Sequence, residues 1–262
     1  MPDTMIPNID YNSLQSQVSA EEWQARVDLA AAFRLGHHLG WNDTIRNHIT
    51  LRLPDDPDHF LMNAYGLGWQ EITASSLVKL DMDGTIVSDT TDTVAVAGLN
   101  FHNAVLRARA DLNCVFHIHP TAGIVISALE DGLMYLDQGS TTLYGRVGTH
   151  EFEGLAQESD EGERIVQDLG DDKDALLMWN HGLLSVGRTV AEAFVIMRTL
   201  HSTCLLQERV MATGGAIRHV PQELCQRTTE QIAKRRKNQP AGFDEWPMYL
   251  RWAESLDPAF KL

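Results

Sequence analysis

Apolar and polar positions alternate along Asn47 to Pro54, "NHITLRLP", with Ile49, Leu51 and Leu53 on one side. That period of two predicts a strand. "HFLMNA" (His59 to Ala64) predicts a second strand, after the turn "DDPD". "LVKLDMDGTIV" (Leu77 to Val87) places Asp-Gly between two apolar runs, a hairpin signal. Helical spacing appears elsewhere. "SAEE" at Ser19 is a capping box, and the alanine-rich run behind it predicts a helix to about Leu39, stopped by Gly40. Leu99, Val105 and Leu106 suit a helix of about three turns. "CVFHIH" (Cys114 to His119) reads as a strand, with a helix after Pro120. Glu158 to Leu169 reads as a helix feeding a strand at Ala175 to Trp179. A second capping box, "TVAE" at Thr189, opens a long helix whose stripe is Ala193, Met197, Leu200 and Cys204, ended by Gly214 and Gly215. Helices alternate with strands, and hairpins dominate the first half. The pattern predicts one α/β domain with a mixed sheet covered by helices on both faces.

Composition narrows the picture. The 262 residues carry a net charge of −15. A phosphate backbone needs clustered cations, so nucleic acid is not expected as a partner. The basic run at Lys234 to Lys237 reads as favourable charge at a helix C-terminus. No apolar run approaches the length of a membrane span, and the polar, acidic start lacks the features of a signal peptide. Cys114, Cys204 and Cys225 form no C-x-x-C pair, which predicts buried thiols in a cytoplasmic protein. Residues 1–18 read as an N-terminal arm, 19–220 as the domain, and 221–262 as a helical extension packed on it.

The candidate chemistry lies in "CVFHIHPTAG" (Cys114 to Gly123). On a strand, His117 and His119 point the same way, so both can reach one ion, and imidazole suits zinc and similar divalent metals. Alone, the spacing is weak evidence for a metal, and a pair of hydrogen-bonded, half-exposed histidines at a strand end is the plainer reading. The residues after His119 do not continue as a cupin or a metallo-β-lactamase site would, and the pair lies too far along the chain for an amidohydrolase barrel. His181, in "WNHGLL" after another apolar strand, is a possible third ligand or a plain turn residue. Three nitrogen ligands with an open position is a catalytic arrangement for zinc.

Taken together, "NCVFHIHP", "WNHGLL" and the helix "TVAEAFVIMRTLHSTCLLQE" resemble the class II aldolase and adducin superfamily, over about Ala20 to Gly215. The resemblance implies a three-layer α/β/α sandwich with a mixed central sheet. It implies a homo-oligomer, with a tetramer favoured, and His117, His119 and His181 as ligands to Zn2+ or another divalent metal. Sugar-phosphate aldolases of that family keep an acid/base glutamate four residues before a histidine. Here that histidine matches His102, and Gly98 stands at the glutamate's place, after Val96 and Ala97 instead of serines. The family's phosphate-holding G-N-x-S and T-P-S-G match "NHIT" (Asn47 to Thr50) and "NAYG" (Asn63 to Gly66), which keep few of the hydroxyls and glycines that cradle phosphate.

The resemblance therefore implies a lyase that polarises a carbonyl at a metal and cleaves a C–C bond of a non-phosphorylated hydroxy- or keto-acid. Decarboxylation needs no base to begin, so it tolerates the missing glutamate better than aldol cleavage does. Tyr144, and Glu71 from another strand region, are candidate proton carriers; Gln138 and His48 read as structural or substrate-orienting. The alternatives are an adducin-like interaction module without catalysis, or a metal-dependent dehydratase or epimerase on the same fold.

Overall fold

Ser19 opens the first helix as its sequence predicts: its Oγ accepts from the Glu22 amide at 2.9 Å, and α1 runs Ala20–His38. A cap of this kind is worth about 1 kcal/mol. The carboxylate of Glu22 does not reach back to complete a capping box. It pairs instead with Arg26 (2.8 Å) and Lys79 (2.9 Å), and so pins the helix to the edge of the sheet. The computed structural model describes residues 11–154 and 160–262. Part of the expected arm (1–10) and the expected helix start at Glu158 lie outside the described residues.

In chain order the elements after α1 are β1 (His48–Arg52), β2 (His59–Asn63), β3 (Leu77–Asp81), α2 (Val96–Ala108), β4 (Cys114–Ile118) and α3 (Thr121–Ser127). Then come α4 (Gln138–Thr141), β5 (Val147–His150), α5 (Glu161–Leu169), β6 (Ala175–Met178) and β7 (Gly182–Gly187). The chain ends with α6 (Val190–Ala212), α7 (Gln222–Arg236), α8 (Trp246–Leu256) and a 3-10 turn at Pro258–Lys261. The seven strands form one sheet in the order β3-β2-β1-β4-β7-β6-β5. Only β5 and β6 run parallel; the other pairs are antiparallel. The Asp-Gly turn forms, but its second limb reaches the sheet edge through a single bridge, Leu80 to Ile86.

Strand period decides which face each residue meets. Ile49, Leu51, Leu53 and Phe116 turn to the face of α1 and α6, where Phe116 meets Trp41 at 5.8 Å and Phe194 at 6.3 Å. His48, Thr50 and His117 turn to the opposite face, under α2 and α5, where His117 meets Phe101 at 5.4 Å. The predicted stripe of α6, Ala193, Met197, Leu200 and Cys204, is fully buried. The sheet thus lies between two helical layers. α8 closes over α1, with Trp246 Nε1 donating to Asp28 at 3.1 Å and Arg34 paired to Asp257 at 2.8 Å.

Candidate metal centre

β4 lies between β1 and β7, in register His48↔His117 and His117↔Leu184. That central position buries the ring of His117. Its Nδ1 lies 3.0 Å from the carbonyl of Leu183, where a ring N–H donates and leaves Nε2 as a bare acceptor. His119 follows two residues on, and its Nε2 stands 2.7 Å from that of His117. Two lone pairs at this distance repel each other unless a proton or a cation lies between them.

His181 comes from the turn between β6 and β7. Asn180 before it takes a left-handed φ of 54°, a conformation that asparagine tolerates better than most residues. Its amide is held by the carbonyl of Ser127 at 2.9 Å. Gly182 after it is needed for space: a Cβ there would sit 2.4 Å from the carbonyl of Ile118. The "NHG" sequence is thus the local geometry that brings His181 against the end of β4. One ring nitrogen from each of His117, His119 and His181 lies within 4.8 Å of the others.

Burial holds all three rings below the ordinary histidine range: His117 well below it, and His181 at about 4. They are therefore neutral at physiological pH, the form that ligates a metal. Three converging neutral imidazoles, one with its outer nitrogen bonded to a backbone carbonyl, fit a divalent cation such as zinc. Asp43 Oδ2 stands 3.8 Å from the outer nitrogen of His119. Phe152, half exposed, lies edge-on to His181 at 6.1 Å between ring centres.

Behind the triad, a chain of hydrogen bonds runs from Thr50 Oγ1 to His102 Nδ1 and from His102 Nε2 to His48 Nδ1, each 2.9 Å. The His48 ring lies 5.3 Å from that of His117. Gly98, in the first turn of α2, faces His48 directly. A Cβ at Gly98 would fall 2.3 Å from His48 Nε2. The place that a glutamate side chain would need is filled by this imidazole.

The other sequence candidates stand apart. Glu71 Oε2 accepts from the Gly68 amide at 2.7 Å, within its own turn. Tyr144 packs edge-on to Tyr135 at 5.1 Å and lines a cavity of about 310 Å³ with His219 and Cys225. Gln138 is exposed on α4. A larger cavity of about 790 Å³ lies between Tyr11 to Ser19 and β3; serines and acidic residues line it, and no histidine does. The sequence pattern gave no sign of Asp43 or Phe152, because neither carries a motif and each meets its histidine only through the fold.

Residues 27–207 match the family described as Class II Aldolase and Adducin N-terminal domain. This chain belongs to that family. The class II aldolase fold is shared with an aldolase II superfamily protein from Pseudomonas syringae, at a TM-score of 0.88 and 39% identity, covering 96% of this chain and 100% of that one. L-fuculose 1-phosphate aldolase from Glaciozyma antarctica PI12 superposes at a TM-score of 0.79 with 27% identity, covering 96% of this chain and 95% of that one. Among sequence relatives, alpha-adducin of Rattus norvegicus is 39% identical over 192 residues, 72% of this chain but only 26% of the adducin. The family thus includes aldolases and adducins, and fold alone does not choose between them.

Proposed function

We propose that this class II aldolase family member is a metal-dependent lyase that cleaves a C–C bond beside a carbonyl in a non-phosphorylated hydroxy- or keto-acid. The observation that carries the reading is the convergence of His117, His119 and His181, with the tautomer of His117 set by Leu183. A divalent cation bound there, zinc in the first instance, supplies a Lewis acid that polarises a carbonyl oxygen. Each protein group has a part. The three imidazoles hold the cation. The Leu183 carbonyl orients the His117 ring, and the Asp43 carboxylate places a negative charge 3.8 Å from the outer nitrogen of His119. Phe152 sets an apolar ring beside His181.

Decarboxylation is favoured over aldol cleavage. Aldol cleavage must remove a hydroxyl proton, and the space of the family's glutamate belongs here to Gly98 and His48. Tyr144 and Glu71 are the proposed proton carriers; neither touches the triad within the described chain, and substitution of each is the test. A panel of hydroxy- and keto-acids assayed for CO2 and for aldehyde release tests the reaction. CO2 release dependent on added metal is the expected result, and aldehyde release from sugar phosphates would contradict it.

A second reading, an interaction domain without catalysis, draws on the likeness to alpha-adducin. An intact set of converging imidazoles has no use in such a module. Inactivity across the whole panel with metal bound would favour it. A cytoplasmic homo-oligomer, tetrameric by family likeness, completes the proposal, and light scattering of the purified protein measures its size.

A further inference from the structure

Arg46 is a charge that the metal reading leaves unused. It sits in the turn before β1, with 73% of its side chain exposed. Its Nη1 stands 3.5 Å from Asp43 Oδ2, at the far limit of a hydrogen bond. The same Oδ2 stands 3.8 Å from His119 Nδ1. One carboxylate oxygen therefore lies between the guanidinium and a ligand ring. The Arg46 charge bears on the ring of His119, whose protonation it opposes.

The backbone around it is held firmly while the side chain is not. Thr44 takes a left-handed φ of 51°, and the Asp43 amide donates to Asn47 Oδ1 at 2.5 Å. Among the described residues, the guanidinium has only its loose contact with Asp43. An exposed pair of that length contributes little, so exchanging it for another carboxylate costs little. Arginine binds a carboxylate through two parallel N–H donors, a geometry Asp43 does not provide here.

Position fixes which carboxylate it can reach. Arg46 lies on the Nδ1 side of His119, whereas the triad nitrogens gather on the Nε2 side. A carboxylate adjacent to the reacting carbonyl would stay on the triad side of the ring. Resting on the lyase reading above, we propose that Arg46 anchors a second carboxylate of the substrate, remote from the carbonyl held at the triad and reached past the Nδ1 edge of His119. The substrate class is then an oxo- or hydroxy-dicarboxylate.

Calorimetric titration of the zinc-loaded protein with pyruvate and with 2-oxoglutarate tests this, with zinc content measured on every sample. The expected result is tighter binding of 2-oxoglutarate by the unaltered protein. Arg46→Gln should weaken 2-oxoglutarate by roughly tenfold and leave pyruvate unchanged, given the strength of a partly exposed charged hydrogen bond. Arg46→Lys should recover part of the loss, since the charge returns without the planar fork. Equal affinity of the unaltered protein for both acids would overturn the anchor alone, as would an Arg46→Gln protein that binds 2-oxoglutarate as before. Binding of neither acid by zinc-loaded protein would overturn the lyase reading itself, and the anchor with it.

Discussion

The imidazole of His48 occupies the room that any side chain at position 98 would need. A Cβ built on Gly98 lies 2.3 Å from His48 Nε2 and 2.4 Å from its Cδ2. The two positions are coupled: glycine at 98 lets the histidine stay. His48 is in turn held by His102, itself bonded to Thr50, so it cannot swing aside without breaking a buried hydrogen bond.

Gly98→Ala should therefore destabilise the protein by about 1 to 3 kcal/mol, the usual cost of forcing an extra group into a packed interior. Gly98→Glu should be worse, and should not confer aldolase activity on sugar phosphates. Adding His48→Ala to Gly98→Ala should recover part of the loss, because the clash has been removed. Denaturant unfolding of the two single variants and the double variant measures the coupling. Simple additivity would show that the two residues do not compete for the same space.

Acid should destabilise the metal-free protein in a defined window. Burial pushes His48 down to about 3 and His102 well below the histidine range. Both are neutral when folded, and both take up a proton near pH 6.5 once unfolded. The unfolded chain then binds more protons than the folded one, so stability rises with pH through this range. It should be complete above about pH 6.5 and decline as pH falls toward 3. Melting temperatures between pH 8 and pH 4 measure the slope. His48→Phe should flatten it, provided the ring still fits beside Gly98.

Asp43 should matter to metal affinity although it is no ligand. Its carboxylate faces the outer nitrogen of His119, and partners of this kind typically change affinity by about 10- to 100-fold. Asp43→Ala should weaken zinc binding by an amount in that range while the fold survives. Competition against a chromogenic chelator measures it. An unchanged affinity would leave Asp43 as a surface charge.

Phosphorylated sugars should bind poorly. Val96 is exposed and Ala95, the N-cap of α2, makes no side-chain cap, so the start of that helix offers no hydroxyl to a phosphate. Thermal shift with fuculose 1-phosphate and with non-phosphorylated acids, each with and without zinc, compares the classes by mass action. A large zinc-dependent shift with the sugar phosphate alone would contradict the substrate class proposed here.

The sequence made most of the scaffold readable because its signals are local. Ser19 and Thr189 cap their helices through side chains three residues from the amides they serve. The stripe Ala193 to Cys204 repeats at helical spacing and is buried as that spacing requires. His117 and His119 share a face because strands have period two. β5 was not legible: "VGTH" is short, carries two residues with little strand preference, and lies at the sheet edge. α8 was legible only as part of the helical extension over 221–262; its bounds were not, because it depends on Trp246 and Tyr249 packing against Phe194. The partners of the triad were hidden for a related reason. Asp43 reaches His119, and Gly98 meets His48, through pairings that no local spacing encodes.

His117, His119 and His181 are proposed to hold a divalent metal. Elemental analysis of purified, chelator-treated and zinc-reloaded protein tests it directly, beside His119→Ala carried through the same steps. The expected result is about one zinc per chain in the unaltered protein, held by three imidazoles with a position left open, and almost none in a variant whose fold is retained. Unaltered protein that takes up no divalent metal after incubation with zinc, or a variant that holds as much as its parent, would contradict it.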